Sequence, residues 1–238
     1  ALGLLSDGQR QAALSALFGD DGCAFGLCRT PIGANDISRG WYSYDEVAGD
    51  FALDHFSVAQ DKTSLIPFIK AAQSFRPDLQ VWASPWSPPT WMKKGGHYAQ
   101  APAWPGRAPN GIRPEQQGTE GVDSFILEDR YLDAYARYFA RYVEAYAREG
   151  IRIGTVMPQN EFNSAQPFPS CCWTPEGLAR FLPVLGREMD RLGVRVFFGT
   201  LERGNAELFA RVMADPMAGK RSSAISRRGP ALGITGIW

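Results

Sequence analysis

The sequence predicts an α/β fold with a parallel β-sheet, and three observations support this prediction. Short apolar runs bounded by glycine or proline alternate with longer segments of helical periodicity, which is the pattern of successive βα units. The apolar runs lack the polar alternation of half-exposed strands, as expected where helices cover both faces of a sheet. The 238 residues are 45% hydrophobic and 21% charged, a composition that can form a substantial core.

Five strands are predicted from the apolar runs. The first run is followed by Thr30-Pro31 and the second by Pro85, and proline commonly ends a strand because it cannot donate to the ladder. The later runs are rich in Ile, Val and Phe, as buried strands are. The predicted strands are 24–29, 79–84, 151–157, 194–199 and 233–238.

Four helices are predicted from apolar residues at helical spacing. The longest carries a stripe of tyrosines with aliphatic residues and ends before Gly150, and we expect this stripe to be a packing surface. Another begins at Thr174-Pro175, an N-cap residue followed by proline. The predicted helices are 61–75, 128–149, 174–193 and 205–213.

Composition and motifs argue against several classes of function. The 25 basic side chains balance 25 acidic ones, so the chain lacks the positive charge typical of nucleic-acid binders. No run approaches the ~18 apolar residues of a membrane span. The histidines and cysteines match no zinc signature, and we find no phosphate loop or dinucleotide fingerprint, so neither a metal nor a cofactor is predicted. We expect free, at least partly buried thiols at Cys23, Cys28, Cys171 and Cys172.

Polar and aromatic side chains follow the predicted strands, where parallel α/β folds bind their ligands. Carboxylates and amides that bind hydroxyl groups, together with an indole that packs on a sugar ring, indicate a saccharide site. A proline-rich segment at 85–121 with three tryptophans has the length of a binding loop. The residues after the first four strands are Asn35, Asp36, Ser84, Pro85, Trp86, Gln159, Asn160, Glu161, Glu202 and Arg203.

Glycoside hydrolysis requires a protonated carboxylic acid beside the leaving oxygen and a second carboxylate at the anomeric carbon. Glu161 is the candidate acid, because it follows a strand and Asn160 beside it can bind the neighbouring sugar hydroxyl. The alternative is a surface glutamate in a loop. Local sequence alone favours an Asx turn or helix cap for Asp36 and a solvated ion pair with Arg203 for Glu202.

Four segments of the chain, at 29–38, 84–93, 159–161 and 172–176, carry a resemblance to glycoside hydrolase family 30, the family of glucosylceramidases and related β-glycosidases. Arg-Thr-Pro-Ile-Gly-Ala-Asn-Asp-Ile-Ser at 29–38 resembles its second-strand region. Ser-Pro-Trp-Ser-Pro-Pro-Thr-Trp-Met-Lys at 84–93 resembles its third-strand signature, which is specific. Gln-Asn-Glu at 159–161 resembles its acid/base motif, and Cys-Trp-Thr-Pro-Glu at 172–176 the segment that follows.

The resemblance implies a retaining β-glycosidase on a (β/α)8 TIM barrel with an attached β-sandwich. It implies that Glu161 is the general acid/base and Asn160 its sugar-binding neighbour. It further implies that Asp36 and Trp86 hold the sugar in the first subsite and that Arg29 lies beneath the carboxylates. One departure is Phe162, which stands where many members carry proline after the Asn-Glu pair.

The chain is expected to hold only part of this barrel. Predicted strands start about 50 residues apart, so eight βα units would need on the order of 400 residues. The resemblance places the five predicted strands as the second to the sixth, so that 1–238 is a partial catalytic domain. The nucleophilic glutamate of the seventh strand, the first strand and the sandwich then lie outside it. Glu202 is a poor substitute nucleophile, because the resemblance puts it on the fifth strand.

The leading hypothesis is a partial catalytic domain of a retaining β-glycosidase, acting in carbohydrate or sphingolipid metabolism. We expect a β-glycoside substrate, a secreted or periplasmic location, and a further segment or second chain that completes the barrel. The alternative is a non-catalytic carbohydrate-binding or inactive fragment, in which Asp36, Trp86, Trp91 and Asn160 bind a saccharide without cleaving it.

Overall fold

The computed structural model describes residues 4–198 and 200–218. Within them, four strands alternate with helices, as the sequence predicts. The strands are β1 (Leu27–Ile32), β2 (Gln80–Pro85), β3 (Ile153–Val156) and β4 (Arg195–Val196). The helices are α1 (Asp7–Phe18), α2 (Leu65–Phe75), α3 (Asp129–Arg148), α4 (Pro175–Arg191) and α5 (Ala206–Ala214). The predicted strand at 233–238 lies outside the described residues.

The strands form one parallel sheet in the order β1-β2-β3-β4. In the first pair, Leu27 is opposite Gln80 and Ile32 is opposite Pro85, so that both strands end at the same level. Each crossover between neighbouring strands contains a helix, which is the βαβ arrangement. The loops after the strands therefore meet at one edge of the sheet, where the candidate residues lie.

Strand boundaries differ from the prediction where neighbouring helices take up the backbone. β1 begins three residues later than predicted, because Ala24 has a left-handed φ of 51° and the Phe25 N–H donates to Leu17 of α1. β3 and β4 begin later because the Ile151 and Val194 N–H groups donate to the last turns of α3 and α4. β3 and β4 are therefore shorter than the apolar runs that predicted them, because the first residue of each of these runs bonds to the preceding helix.

Helix α1 was not predicted. Only Leu14 and Phe18 of this helix are buried, so its apolar periodicity is too weak to indicate a helix. Its start does carry a local signal, because Ser6 and Gln9 form a reciprocal capping box. This signal could have located the helix from the sequence.

The tyrosine stripe of α3 is a packing surface, as predicted. Tyr135, Tyr138, Tyr142 and Tyr146 are fully buried. The hydroxyl of Tyr146 donates to the buried carboxylate of Asp61 at 2.7 Å, and Tyr42 and Tyr44 donate to the same carboxylate at 2.6 and 2.5 Å. These bonds fasten the long loop after β1 to α3.

The cysteines differ in exposure. Cys171 and Cys172 are buried and Cys28 is partly buried, as expected. Cys23 is exposed, so the prediction of burial is wrong there, because it lies in the turn between α1 and β1. All four are free thiols.

In residues 4–198 and 200–218, no helix has the length and apolar character needed to cross a membrane.

Candidate active site

Arg29 of β1 lies at the centre of the candidate site. It stands opposite Trp82 in the β1–β2 register, and its Nε and Nη2 donate to Ser84 Oγ at 3.0 and 2.6 Å. Nη2 also donates to Asn160 Oδ1 at 2.7 Å. One guanidinium therefore connects β1, β2 and the loop after β3.

Two indoles hold the Arg29 guanidinium in place. Its Cζ lies 4.3 Å from the ring centroid of Trp86 and 4.8 Å from that of Trp82, both within range of cation–π attraction. Burial lowers the pKa of Arg29 to about 10, while the charges of Glu161 and Asp36 oppose this shift. Arg29 thus stays positively charged at neutral pH.

The side-chain amide of Asn160 has a determined orientation. Its Oδ1 accepts from Arg29, and also from the Thr200 hydroxyl at 3.2 Å. Because a guanidinium can only donate, the oxygen must face Arg29 and the NH₂ group must point elsewhere. The backbone is held as well, since the Asn160 N–H donates to Pro85 O at 2.8 Å. Asn160 can therefore present a hydrogen-bond donor to a ligand.

Glu161 is half-buried and follows Asn160 in an unusual backbone conformation. Its φ of 45° lies in the left-handed region, and its N–H donates to Thr200 Oγ1 at 3.0 Å. Burial raises the pKa of the Glu161 carboxyl, the charges of Glu202 and Asp36 raise it further, and Arg29 opposes them. Relative to a free glutamate, this environment favours the neutral form of Glu161, although the partly buried cation of Arg29 acts in the opposite direction.

Asp36 is exposed and lies near the same group of charges, since its carboxylate acts on both Arg29 and Glu161. The Asx turn considered for Asp36 belongs instead to its neighbour. Asn35 Oδ1 accepts from the Ile37 N–H at 3.1 Å and from Ser38 Oγ at 2.8 Å. The carboxylate of Asp36 is therefore not required for this turn.

Glu202 forms the ion pair considered from the sequence. Its carboxylate lies 3.0 Å from Arg203, which also contacts Glu120 at 2.6 Å. The Glu202 N–H donates to Asn163 Oδ1 at 3.0 Å. This pair does not isolate Glu202 from the site, because its charge still raises the pKa of Glu161.

The proline-rich loop after β2 carries tryptophans in different environments. Trp91 packs edge-on against Phe51 and donates its indole N–H to Asp45 O at 3.1 Å. These contacts indicate a packing role, in contrast to the saccharide contact considered for Trp91. Trp104 is 56% exposed and lies edge-on to Phe168 of the loop after β3.

Buried Lys93 connects this loop to the loop after β3 through hydrogen bonds. Its Nζ donates to Ser170 O at 2.7 Å, Tyr98 O at 2.8 Å and Ser87 Oγ at 3.2 Å. The three acceptors belong to the loops after β2 and β3. Lys93 therefore joins the segment that follows Trp86 to the segment that follows Glu161.

Two residues of the site were not found from the sequence. Trp82 shares a face of β2 with Ser84, since alternate strand residues point the same way, and this period could have indicated that face; its place beside Arg29 comes from the β1–β2 register. Thr200 directly follows the predicted fourth strand, a position at which the other strands also supply candidate residues. No local pattern shows that its hydroxyl contacts the Asn160-Glu161 pair.

Comparison with known proteins identifies the family. Residues 1–225 match the glycosyl hydrolase family 30 TIM-barrel domain. The chain belongs to glycosyl hydrolase family 30. The four parallel strands and their helices are accordingly part of a TIM barrel, as the resemblance implied.

The sequence relatives of the chain include proteins whose names state different substrates. The chain is 30% identical over 185 residues to lysosomal acid glucosylceramidase of Mus musculus, covering 75% of this chain and 32% of the relative. It is 29% identical over 170 residues to endo-1,6-beta-D-glucanase of Neurospora crassa, covering 70% of this chain and 31% of the relative. The chain thus spans about a third of each relative.

Among solved structures, SrfJ from Salmonella typhimurium has the same fold. It matches with a TM-score of 0.77 and 23% identity over 92% of this chain and 45% of SrfJ. The chain therefore holds part of a family 30 barrel, as predicted.

Proposed function

We propose that the protein is a retaining β-glycosidase in which Glu161 is the general acid/base. The observation that carries this proposal is the environment of Glu161. Its half-buried carboxyl has a raised pKa and follows an asparagine whose amide Arg29 orients. A general acid needs a pKa near the working pH, and partial burial beside negative charge shifts the pKa of Glu161 upward, in that direction.

The proposed reaction proceeds in two steps. Glu161 transfers its proton to the glycosidic oxygen while a glutamate nucleophile attacks the anomeric carbon, so that the alcohol leaves and a glycosyl-enzyme forms. Glu161, now a carboxylate, removes a proton from water, whose oxygen attacks the anomeric carbon and releases the sugar and the nucleophile. We propose that β1 to β4 are the second to fifth barrel strands and that a later strand supplies the nucleophile.

The first subsite is proposed to comprise Arg29, Asp36, Trp86 and Asn160. The Asn160 amide would donate to the sugar hydroxyl next to the anomeric carbon, because its oxygen is engaged by Arg29 and Thr200. One face of the Trp86 ring already carries the Arg29 guanidinium, so a pyranose would pack on the other face or the edge. The exposed carboxylate of Asp36 would accept from sugar hydroxyls.

A β-glucoside is the proposed substrate class. This is supported by relatives named as a glucosylceramidase and an endo-1,6-beta-D-glucanase, and on the same ground we propose a role in sphingolipid or carbohydrate metabolism. We propose a secreted or periplasmic location; the lysosomal location in the name of the mouse relative supports only the part of this proposal that places the protein outside the cytosol.

Replacing Glu161 by Gln in the full-length protein tests the proposal. On an alkyl β-glucoside, whose leaving group needs protonation, kcat should fall about 1000-fold. On a dinitrophenyl β-glucoside, added azide should restore turnover and give a β-glycosyl azide. Glu120→Gln is the matched control, since Glu120 contacts Arg203 outside the proposed subsite. Full activity of Glu161→Gln on the alkyl glucoside contradicts the proposal, and saccharide binding without turnover in the unmodified protein supports the non-catalytic alternative.

A further inference from the structure

Thr200 contacts both residues of the Asn160-Glu161 pair through a single hydroxyl. Its Oγ1 accepts from the Glu161 backbone N–H at 3.0 Å and donates to Asn160 Oδ1 at 3.2 Å. Because a hydroxyl has one proton, the bond to Asn160 uses its donor capacity, and the Glu161 N–H occupies one of its lone pairs. Thr200 follows β4, so this contact also links the loops after β3 and β4.

The backbone of Glu161 needs such a partner. A φ of 45° is uncommon for a residue with a side chain and persists where the surroundings enforce it. The hydrogen bond to Thr200 holds the N–H of Glu161 in the orientation that this conformation requires. The same φ angle also sets the direction in which the Glu161 side chain leaves the backbone, and therefore where its carboxyl lies.

The amide of Asn160 is held from two sides. Arg29 donates to Oδ1 from β1, and Thr200 donates to the same oxygen from the β4 side of the sheet. Both donors keep the oxygen facing Arg29 and Thr200, so that the NH₂ group points the other way and is available to a sugar hydroxyl. Loss of one donor would leave the amide freer to rotate.

We propose that Thr200 is a positioning residue that holds the Glu161 carboxyl and the Asn160 amide in a fixed position relative to each other. This inference rests on the proposed function of Glu161. Thr200 touches neither the leaving oxygen nor the anomeric carbon in this scheme. Its contribution is to reduce the motion of the groups that do, and small displacements of such groups reduce rates strongly.

Thr200→Val in the full-length protein tests this role, because valine keeps the shape of threonine and lacks the hydroxyl. We expect kcat on an alkyl β-glucoside to fall about tenfold, with a smaller loss on a dinitrophenyl β-glucoside that needs no proton. Thr200→Ser restores the hydroxyl and should stay within about twofold of the unmodified protein. Thr63→Val is the matched control, because Thr63 is exposed and its hydroxyl contacts Gln60 O alone among the described residues.

Thr200→Ala serves as a second variant if valine impairs folding, which thermal unfolding of every variant reports. Equal losses on both leaving groups, equal losses for Val and Ser, or no loss in Val and Ala overturn the positioning role. A failure of the proposed function is distinguishable from these outcomes, because Glu161→Gln would then keep full activity on the alkyl glucoside.

Discussion

The guanidinium of Arg29 donates a 2.7 Å hydrogen bond to the side-chain oxygen of Asn160, a residue 131 positions further along the chain. This bond spans the sheet from β1 to the loop after β3. It determines which end of the Asn160 amide faces the site, and it keeps a positive charge beside Glu161. Trp82 contacts Arg29 and is not among the residues of the proposed subsite, so it should influence sugar binding without touching the sugar.

Trp82→Leu should lower kcat/KM for a β-glucoside about fivefold, because it removes one of two indoles against the Arg29 guanidinium. Leucine retains an apolar side chain at this position, so the change mainly tests the cation–π contact. Steady-state kinetics on an alkyl β-glucoside provide the measurement. Trp104→Leu is the control for loss of an indole, since the ring contact of Trp104 is with Phe168, whereas the rings beside Arg29 are those of Trp82 and Trp86. An unchanged kcat/KM in Trp82→Leu would refute this role.

Glu202→Gln should move the basic limb of the kcat/KM profile to lower pH. That limb reports loss of the proton from the acid, and the negative charge of Glu202 helps to raise the pKa of Glu161. Removing this charge makes the protonated form less favourable, so the acid loses its proton at a lower pH. In this variant the pKa of Glu161 should still lie above that of a free glutamate, because burial is the largest cause of its raised pKa.

The control for this pH profile is Glu120→Gln. Glu120 pairs with Arg203, as Glu202 does, but it is not among the causes of the raised Glu161 pKa. The basic limb of the kcat/KM profile of Glu120→Gln should therefore coincide with that of the unmodified protein. A shift of equal size in both variants would attribute the effect to Arg203. A shift to higher pH in Glu202→Gln would contradict the role of the Glu202 charge in raising the pKa of Glu161.

Lys93→Met should lower the free energy of unfolding by about 2 kcal/mol, because it leaves the buried acceptors of Ser170, Tyr98 and Ser87 without this donor. Lys94→Met is the matched control: Lys94 is exposed and its backbone N–H, which the substitution keeps, makes the bond to Ser124 O. Denaturant unfolding followed by tryptophan fluorescence measures both. Equal stability of the two variants would show that Lys93 does not support the loops.

The fold was largely predictable because its signals are local. Proline after the first two apolar runs, the apolar face of α3 and the N-cap at Thr174 each depend on nearby residues, and each element predicted within residues 4–198 and 200–218 has a counterpart there. The lengths of β3 and β4 were overestimated because Ile151 and Val194 bond to the preceding helices. Helix α1 was missed because it buries only two of its residues.

The sequence by itself determined the parallel α/β class, the family and the candidate residues Arg29, Asp36, Trp86, Asn160 and Glu161, because apolar runs, helical periodicity and motifs such as Ser-Pro-Trp at 84–86 are contained in short segments. Only the tertiary structure decided how these residues are held. The indole of Trp82 beside Arg29 and the hydroxyl of Thr200 between Asn160 and Glu161 come from different strands and loops. Such contacts depend on strand register and loop packing, which bring distant residues together and which no local pattern encodes.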